Sequence, residues 1–270
     1  MEARALHEIE TLLTRVVNRF SFADRGLDMK DSPILLPTLV TIPAGEFQMG
    51  CEQGRDDEKP VHTVWVDCFV IGVYTVTNEE YLQFVHDTKR EIPSVFAEER
   101  FSHPRQPVVA VSWFEAMDYC QWLSSKTGAE VRLPTEAEWE RAVRCGQDRM
   151  LYSWGNEDPD SFEIYRTGWQ DQRPQPVGLF SPNAFGIHNL GDNVHEWCLD
   201  WYDPKFYERS PRLNPLNVEP SPRRASRGGS WRHRIKVSRC AARSSLDPSF
   251  KYTDYGFRIV TTSPFPSTIP

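Results

Sequence analysis

The chain of 270 residues is long enough to bury a sizeable core, and 39% of its residues are apolar, with nine Trp, nine Tyr and fifteen Phe. Its formal net charge of −7 argues against a nucleic-acid partner, because phosphate binding needs concentrated Lys and Arg. No apolar run is long enough to cross a bilayer and the first residues lack a signal-peptide pattern, so we expect a cytoplasmic protein without membrane contact.

The first predicted element is an amphipathic helix within residues 1–22, where apolar residues recur at helical spacing. It either packs on its own domain or docks a partner, and we favour the first alternative. Residues 23–38 are rich in Asp, Gly and Pro, which is typical of a linker. We expect the main domain over residues 39–262 and a short C-terminal tail over residues 263–270.

The early part of the main domain predicts short strands and capped helices. Residues 40–50 predict a strand, a turn and a strand, and residues 64–66 and 69–71 predict two more strands. In a capping box, a hydroxyl and a Glu three residues later satisfy free backbone N–H groups at the start of a helix. Three such pairs occur: Thr77 with Glu80, Ser112 with Glu115, and Thr135 with Glu138. With fifteen Gly and twenty-one Pro, the chain as a whole predicts a loop-rich fold.

A series of motifs follows in a fixed order over about residues 39–260. They are IPAGEFQMG at 42–50, EKPVH at 58–62, PVVAVSW at 107–113, RLPTEAEWE at 132–140, NVHEW at 193–197, RGGSW at 227–231, RCAAR at 239–243 and GFR at 256–258. The series resembles the formylglycine-generating enzyme family, also called sulfatase-modifying factors. The resemblance implies an α+β fold with low regular secondary structure, the formylglycine-generating-enzyme fold, which is related to C-type-lectin-like domains.

Catalytic members of that family bind copper through two cysteines that follow a Gly-Gly-Ser motif. Here Gly228-Gly229-Ser230 is present, His233 stands at the position of the first cysteine, and no cysteine precedes Cys240 in this segment. Linear binding of Cu(I) needs two thiolates, so we expect a homologue that lacks the copper-binding cysteine pair and the usual copper-dithiolate route to formylglycine. The family further implies that Cys145 and Cys240 are a structural pair of neighbours, which can stay reduced in the cytoplasm.

The resemblance also implies a structural calcium site. Its ligands would be the Asn189 side chain, the backbone carbonyls of Asp192 and Val194, and the Glu196 carboxylate. Hard oxygen ligands from one tight loop suit Ca²⁺. The alternative is a polar loop whose Asn and Glu bond only to the backbone, and we favour calcium.

Two histidines raise the question of a redox metal, copper or iron. His195 and His233 fall near the expected pocket, and with a carboxylate they could hold Fe(II). The alternative is that they form hydrogen bonds within a polar pocket, and this is favoured because no metal-ligand spacing is evident locally. With Ser230, these two histidines are the candidate catalytic residues.

The basic residues near the C-terminus divide into two groups. Three arginines are predicted to form buried ion pairs: Arg239, Arg243 and Arg258. Arg232 and Arg234, together with Trp231, are candidates for binding an acidic peptide or an anionic small molecule in a C-terminal cleft. A solvated basic face is an equally good interpretation of the two arginines.

Two functional hypotheses follow from these residues. The first is a metal-dependent oxidase or oxygenase acting on a peptide or small thiol. The second is a non-catalytic module that binds a ligand or protein on the same scaffold. The sequence does not decide the oligomeric state.

Overall fold

The computed structural model describes residues 33–157, 170–233 and 237–266. The predicted N-terminal helix lies outside these ranges, as do most of the predicted linker and the last four residues of the tail. The division into helix, linker, domain and tail therefore stays a prediction. Within the described residues, no helix is long and apolar enough to cross a membrane.

The four strands predicted in the first part of the domain are confirmed. They are β1 (Leu39–Ile42), β2 (Gly45–Met49), β3 (His62–Val66) and β4 (Phe69–Gly72). Strands β2 and β3 pair with each other in a separate two-stranded sheet, whereas β1 pairs antiparallel with β4. Every residue of β4 is buried, and this strand is an interior strand of a four-stranded sheet.

The three predicted helices are also confirmed: α1 (Asn78–Thr88), α2 (Trp113–Thr127) and α3 (Glu136–Arg144). Each begins with the predicted capping box, in which both reciprocal hydrogen bonds form. Helix α2 ends at Gly128 in the left-handed conformation, as expected of a glycine that terminates a helix. Helix α3 ends at Cys145, which adopts the left-handed conformation with φ of 51°.

Six further strands complete two four-stranded sheets. They are β5 (Val131–Arg132), β6 (His195–Trp201), β7 (Arg224–Arg227), β8 (Arg243–Leu246), β9 (Tyr255–Gly256) and β10 (Val260–Thr261). One sheet has the order β1-β4-β10-β5, and the other has the order β8-β7-β6-β9. No sequence pattern predicts β6, although it is the longest strand among the described residues. The fold is α+β, as predicted.

Buried ion pairs hold the helices to the sheets. The three predicted pairs form: Arg239 with Glu58, Arg243 with Glu136, and Arg258 with Glu196. A fourth carboxylate, that of Glu140, binds the guanidinium groups of both Arg144 and Arg227. Because removing one partner leaves an uncompensated buried charge, loss of either side chain of such a pair should be strongly destabilising.

Candidate functional site

The site forms where two segments of backbone come unusually close. Gly229 N–H donates to the carbonyl of Gly191 at 3.2 Å. A Cβ at Gly229 would lie only 2.8 Å from that carbonyl oxygen, and one at Gly228, where φ is 77°, would lie 3.2 Å from the Gly191 Cα. Glycine is required at both positions, and this contact fixes the place of the next residue, Ser230.

Four polar side chains converge beyond this contact. Ser230 Oγ donates to Asp254 Oδ2 at 3.0 Å and lies 3.1 Å from His233 Nδ1. The same His233 nitrogen lies 2.8 Å from Nε2 of His195 and 3.7 Å from Asp254 Oδ2. The structure therefore brings together all three predicted catalytic residues and adds a carboxylate that the sequence did not single out.

Backbone pairing explains why these side chains meet. Strands β6 and β9 are parallel, with His195 opposite Tyr255, and His195 N–H donates to the Asp254 carbonyl at 2.9 Å. The third contributor is a turn in which His233 N–H donates to the Ser230 carbonyl at 3.0 Å. Three segments that are distant in sequence thus each contribute one side chain that can bind a metal: His195, His233 and Asp254.

Most of the cluster is inaccessible to solvent. His195, Ser230 and Asp254 are each at most 3% exposed, whereas the His233 side chain is 45% exposed. Burial lowers the pKa of His195 to about 4; the Asp254 carboxylate raises this pKa, and His233 lowers it. His195 is therefore neutral at pH 7, the form in which an imidazole binds a metal.

The cluster has the composition of a transition-metal site. One nitrogen each from His195 and His233 and one oxygen from Asp254 lie within 4.8 Å of one another. Two imidazoles and one carboxylate are the ligand set of non-haem Fe(II) oxygenases. Among the described residues, this is the group of His, Cys, Asp and Glu side chains close enough to share an ion.

The predicted substrate-binding residues have different environments. Trp231 is 5% exposed, its ring lies 6.2 Å from that of Phe101, and its Nε1 donates to the Thr253 carbonyl at 3.4 Å. Arg232 is exposed, and its Nη1 lies 3.6 Å from Asp254 Oδ1. Arg234 lies outside the described residues. Of the three, Arg232 is therefore the residue that the structure places at the surface of the cluster.

The predicted calcium ligands lie in residues 189–196, the segment that also contains Gly191. Asn189 adopts a left-handed conformation with φ of 59°, its Nδ2 donates to Asp192 Oδ1 at 3.2 Å, and its buried Oδ1 accepts no hydrogen bond. Burial raises the pKa of Asp192 to about 6. Val194 is fully buried. An orphaned amide oxygen beside a buried carboxylate fits a hard cation, because Ca²⁺ would satisfy both groups.

Glu196, the fourth predicted calcium ligand, already has strong partners. Its Oε1 accepts from Arg258 Nη2, and its Oε2 accepts from Arg258 Nε and Trp139 Nε1, all at 2.9 Å. A carboxylate has about four lone-pair sites, so these three bonds leave little capacity for an ion. The calcium site stays a prediction, supported better by Asn189 and Asp192 than by Glu196.

All six cysteines are free thiols, and none belongs to the cluster around His195. Cys240 is fully buried, and burial raises its pKa to about 12. The predicted structural pair of Cys145 and Cys240 stays a prediction, as does the absence of a copper centre with two thiolate ligands.

Comparison with known proteins agrees with this architecture. Residues 27–263 match the family model described as a sulfatase-modifying factor enzyme 1-like domain. The chain therefore belongs to the sulfatase-modifying factor family, and the predicted resemblance to formylglycine-generating enzymes is confirmed.

Individual relatives differ in the share of their length that the chain covers. It is 33% identical to the serine/threonine-protein kinase pkn1 of Chlamydia pneumoniae over 93% of this chain but 42% of the kinase. It is 32% identical to the formylglycine-generating enzyme of Streptomyces coelicolor over 81% of this chain and 87% of that enzyme. Among solved structures, PvdO from Pseudomonas aeruginosa is similar with a TM-score of 0.68 and 27% identity, covering 84% of this chain and 95% of PvdO.

Proposed function

We propose that this chain is a metal-dependent oxidase or oxygenase that acts on a peptide or a small thiol and uses a mononuclear centre in place of a copper dithiolate. The observation that carries the proposal is the convergence of His195, His233 and Asp254, whose ligand atoms lie within 4.8 Å of one another. By the resemblance to catalytic members of the family, His233 stands at the position of the first copper-binding cysteine. Fe(II) is the metal that this ligand set favours.

Each side chain has a definite task in this proposal. His195, His233 and Asp254 would hold the ion, and a bound Fe(II) would supply oxygen activation. Ser230 donates to Asp254 Oδ2, which fixes the orientation of the carboxylate and leaves its other oxygen, Oδ1, towards Arg232. The neutral imidazole of His195 needs no deprotonation before it can bind the metal.

The substrate would approach from the side of His233. This residue and Arg232 are the exposed members of the site, whereas His195 and Asp254 form its buried floor. The Arg232 guanidinium is half exposed, so it is available to a carboxylate or another anionic group of a peptide or small-molecule ligand.

A structural calcium ion belongs to the same proposal. Asn189 and Asp192 would hold it through side-chain oxygens, and the Asp192 and Val194 carbonyls and Glu196 complete the predicted ligand set. The ion would stabilise the loop that carries Gly191 and hence the backbone contact beneath Ser230.

Six free cysteines support a reducing compartment, so we also keep the cytoplasm as the proposed location.

Metal analysis and oxygen uptake test the proposed reaction. The protein is purified anaerobically, loaded separately with Fe(II) and Cu(I), and exposed to oxygen with a cysteine-containing sulfatase-motif peptide or with cysteine itself. We expect about one Fe(II) per chain and oxygen uptake that depends on it. The variants His195→Ala and Asp254→Ala should lose both, whereas His188→Ala, which removes a histidine bonded to the Phe180 carbonyl outside the cluster, should keep both.

Two results would contradict this function. Protein that binds no Fe(II) and is inert with either metal would favour the non-catalytic binding module. Oxidation that requires Cu(I) and persists in His195→Ala would show a copper-dependent reaction that does not use the proposed ligand His195.

A further inference from the structure

Two large aromatic side chains stand exposed beside the candidate site. Phe250 is 47% exposed and Tyr252 is 46% exposed, and their ring centroids lie 5.9 Å apart. Both belong to the segment of residues 247–254, which ends at the proposed metal ligand Asp254. We call the surface formed by Phe250 and Tyr252 the aromatic platform.

The exposure is not that of a loosely attached loop. Trp113 N–H donates to the Pro248 carbonyl at 3.0 Å, and Ala110 N–H donates to the Tyr252 carbonyl at 3.1 Å. Lys251 Nζ also lies 2.7 Å from Glu115 Oε1. The segment is therefore fixed at several points along the start of α2, and the two rings are held towards solvent by bonded backbone. Two adjacent exposed rings fixed in this way form an apolar surface that a side chain of a ligand can cover.

One buried ring separates the platform from His195. The Tyr252 ring lies 6.2 Å from the ring of Tyr255, which is 5% exposed and lies 4.8 Å from the His195 ring. These two steps set an upper limit on the separation of Tyr252 from His195, and about three residues of extended peptide span it, since each residue spans about 3.3 Å.

The small size of the platform decides its occupant. Phe and Tyr bury at most about 150–250 Å² each, and these two are already half covered. A stable dimer needs about 800 Å² per partner, so a second copy of the chain is not the natural occupant. A short peptide, by contrast, needs only a pocket or ledge for one or two side chains beside the reacting residue.

We propose that the aromatic platform binds a large apolar or aromatic side chain of a peptide substrate, within about three residues of the residue that reacts at the His195 centre. The substrate role rests on the proposed function, and it selects a peptide over a small thiol. Binding to the platform itself needs no metal, because neither Phe250 nor Tyr252 is a ligand of the ion.

Fluorescence anisotropy on the metal-free full chain tests the platform. The probes are two labelled nine-residue peptides with a central cysteine: one has phenylalanine three residues to each side, and the other has alanine at both places. We expect the phenylalanine peptide to bind about tenfold more tightly. The double variant Phe250→Ala with Tyr252→Ala should remove this preference, and Tyr252→Phe should keep it. The control is Leu213→Ala, which removes an apolar side chain that is 65% exposed and adjoins β3.

Three results would overturn the inference. They are equal affinity of the two peptides, a preference that survives the double variant, and self-association in sedimentation that the double variant abolishes. Because the assay uses metal-free protein, a failure of oxygen uptake leaves its result unchanged, so the two proposals fail separately.

Discussion

Nε2 of the buried His195 lies 2.8 Å from Nδ1 of the half-exposed His233. In the absence of a metal, one of these nitrogens must carry a proton and donate it to the other. In the presence of a metal, both lone pairs would turn to the ion, and about 3 Å is the separation expected of neighbouring ligands on one centre with bonds near 2.1 Å. The separation of the two nitrogens therefore suits both states, and the rings would rotate to turn their lone pairs to the ion.

Ser230→Ala should weaken metal binding without abolishing it. The Ser230 hydroxyl is not a proposed ligand of the ion, but it donates to Asp254 Oδ2. Its loss therefore frees the Asp254 carboxylate to rotate. Loss of such a supporting hydrogen bond typically costs 10–100-fold in metal affinity or activity. Competition titration with Co(II), followed by its visible absorption, measures the affinity.

The matched control for that experiment is Ser226→Ala, which removes another buried hydroxyl, 3.5 Å from the Tyr255 hydroxyl. It should leave Co(II) affinity within about threefold. Equal effects of the two variants would show that Ser230 has only a structural role.

Calcium should raise the unfolding temperature, and Asn189→Ala should remove most of this rise. At a hundredfold excess over Kd, a ligand specific to the folded state stabilises it by about 2.7 kcal/mol. Calorimetry with calcium, with magnesium and with chelator gives the comparison. Magnesium should have a much smaller effect, because it demands a regular octahedral geometry. An identical response of Asn189→Ala and the parent chain would remove this residue from the site.

Arg258→Met should destabilise the fold by about 3–5 kcal/mol, because it leaves the fully buried Glu196 carboxylate without its countercharge. Adding Glu196→Gln to it should recover part of the loss, since the double variant contains no buried charge at this place. Urea unfolding of both single variants and the double variant gives the coupling free energy. Additive losses would mean that the two side chains do not act as a pair.

Asp200 should contribute stability that is lost as pH rises from about 4 to about 7, whereas His195, whose pKa burial lowers to about 4, contributes in the opposite direction. Burial, and secondly the Glu136 carboxylate, raises the pKa of Asp200 to about 7 from an ordinary value of 3.8. Across this window the unfolded chain has lost a proton that the folded chain retains, so raising the pH favours unfolding. The effect is roughly 2–4 kcal/mol and is complete above pH 7.

Asp200→Asn provides the test, because its side chain does not titrate. The variant loses one acceptor, for Glu136 N–H, at every pH, so the slope with pH is informative and the absolute stability is not. Calorimetry between pH 4 and pH 8 should show that the parent chain loses stability relative to the variant as the pH rises. Parallel curves would exclude Asp200 as the titrating group.

Local features of the fold could be predicted from sequence, whereas pairings between distant segments could not. The capping boxes at Thr77, Ser112 and Thr135 were sufficient because each involves residues only three apart. Strand β6 was missed because both its faces are mostly buried, so polar and apolar residues do not alternate cleanly along it.

The candidate site shows the same division. His195, His233 and Ser230 could be selected from their positions in motifs, but Asp254 could not. Its role depends on the parallel pairing of β6 with β9, which joins residues about sixty positions apart and leaves no periodic signal. The identity of each arginine's partner, such as Glu58 for Arg239, depends on tertiary packing in the same way.

Strand β6 presents consecutive residues to opposite faces: His195 meets the turn that carries His233, and Glu196 meets Arg258 and Trp139. The candidate site and the buried ion pair thus lie on different sides of one strand. Substitutions in the turn of His233 would alter the surroundings of His195 and leave the contacts of Glu196 with Arg258 and Trp139 in place. The candidate site can therefore vary while the ion pair that anchors β6 in the core is retained.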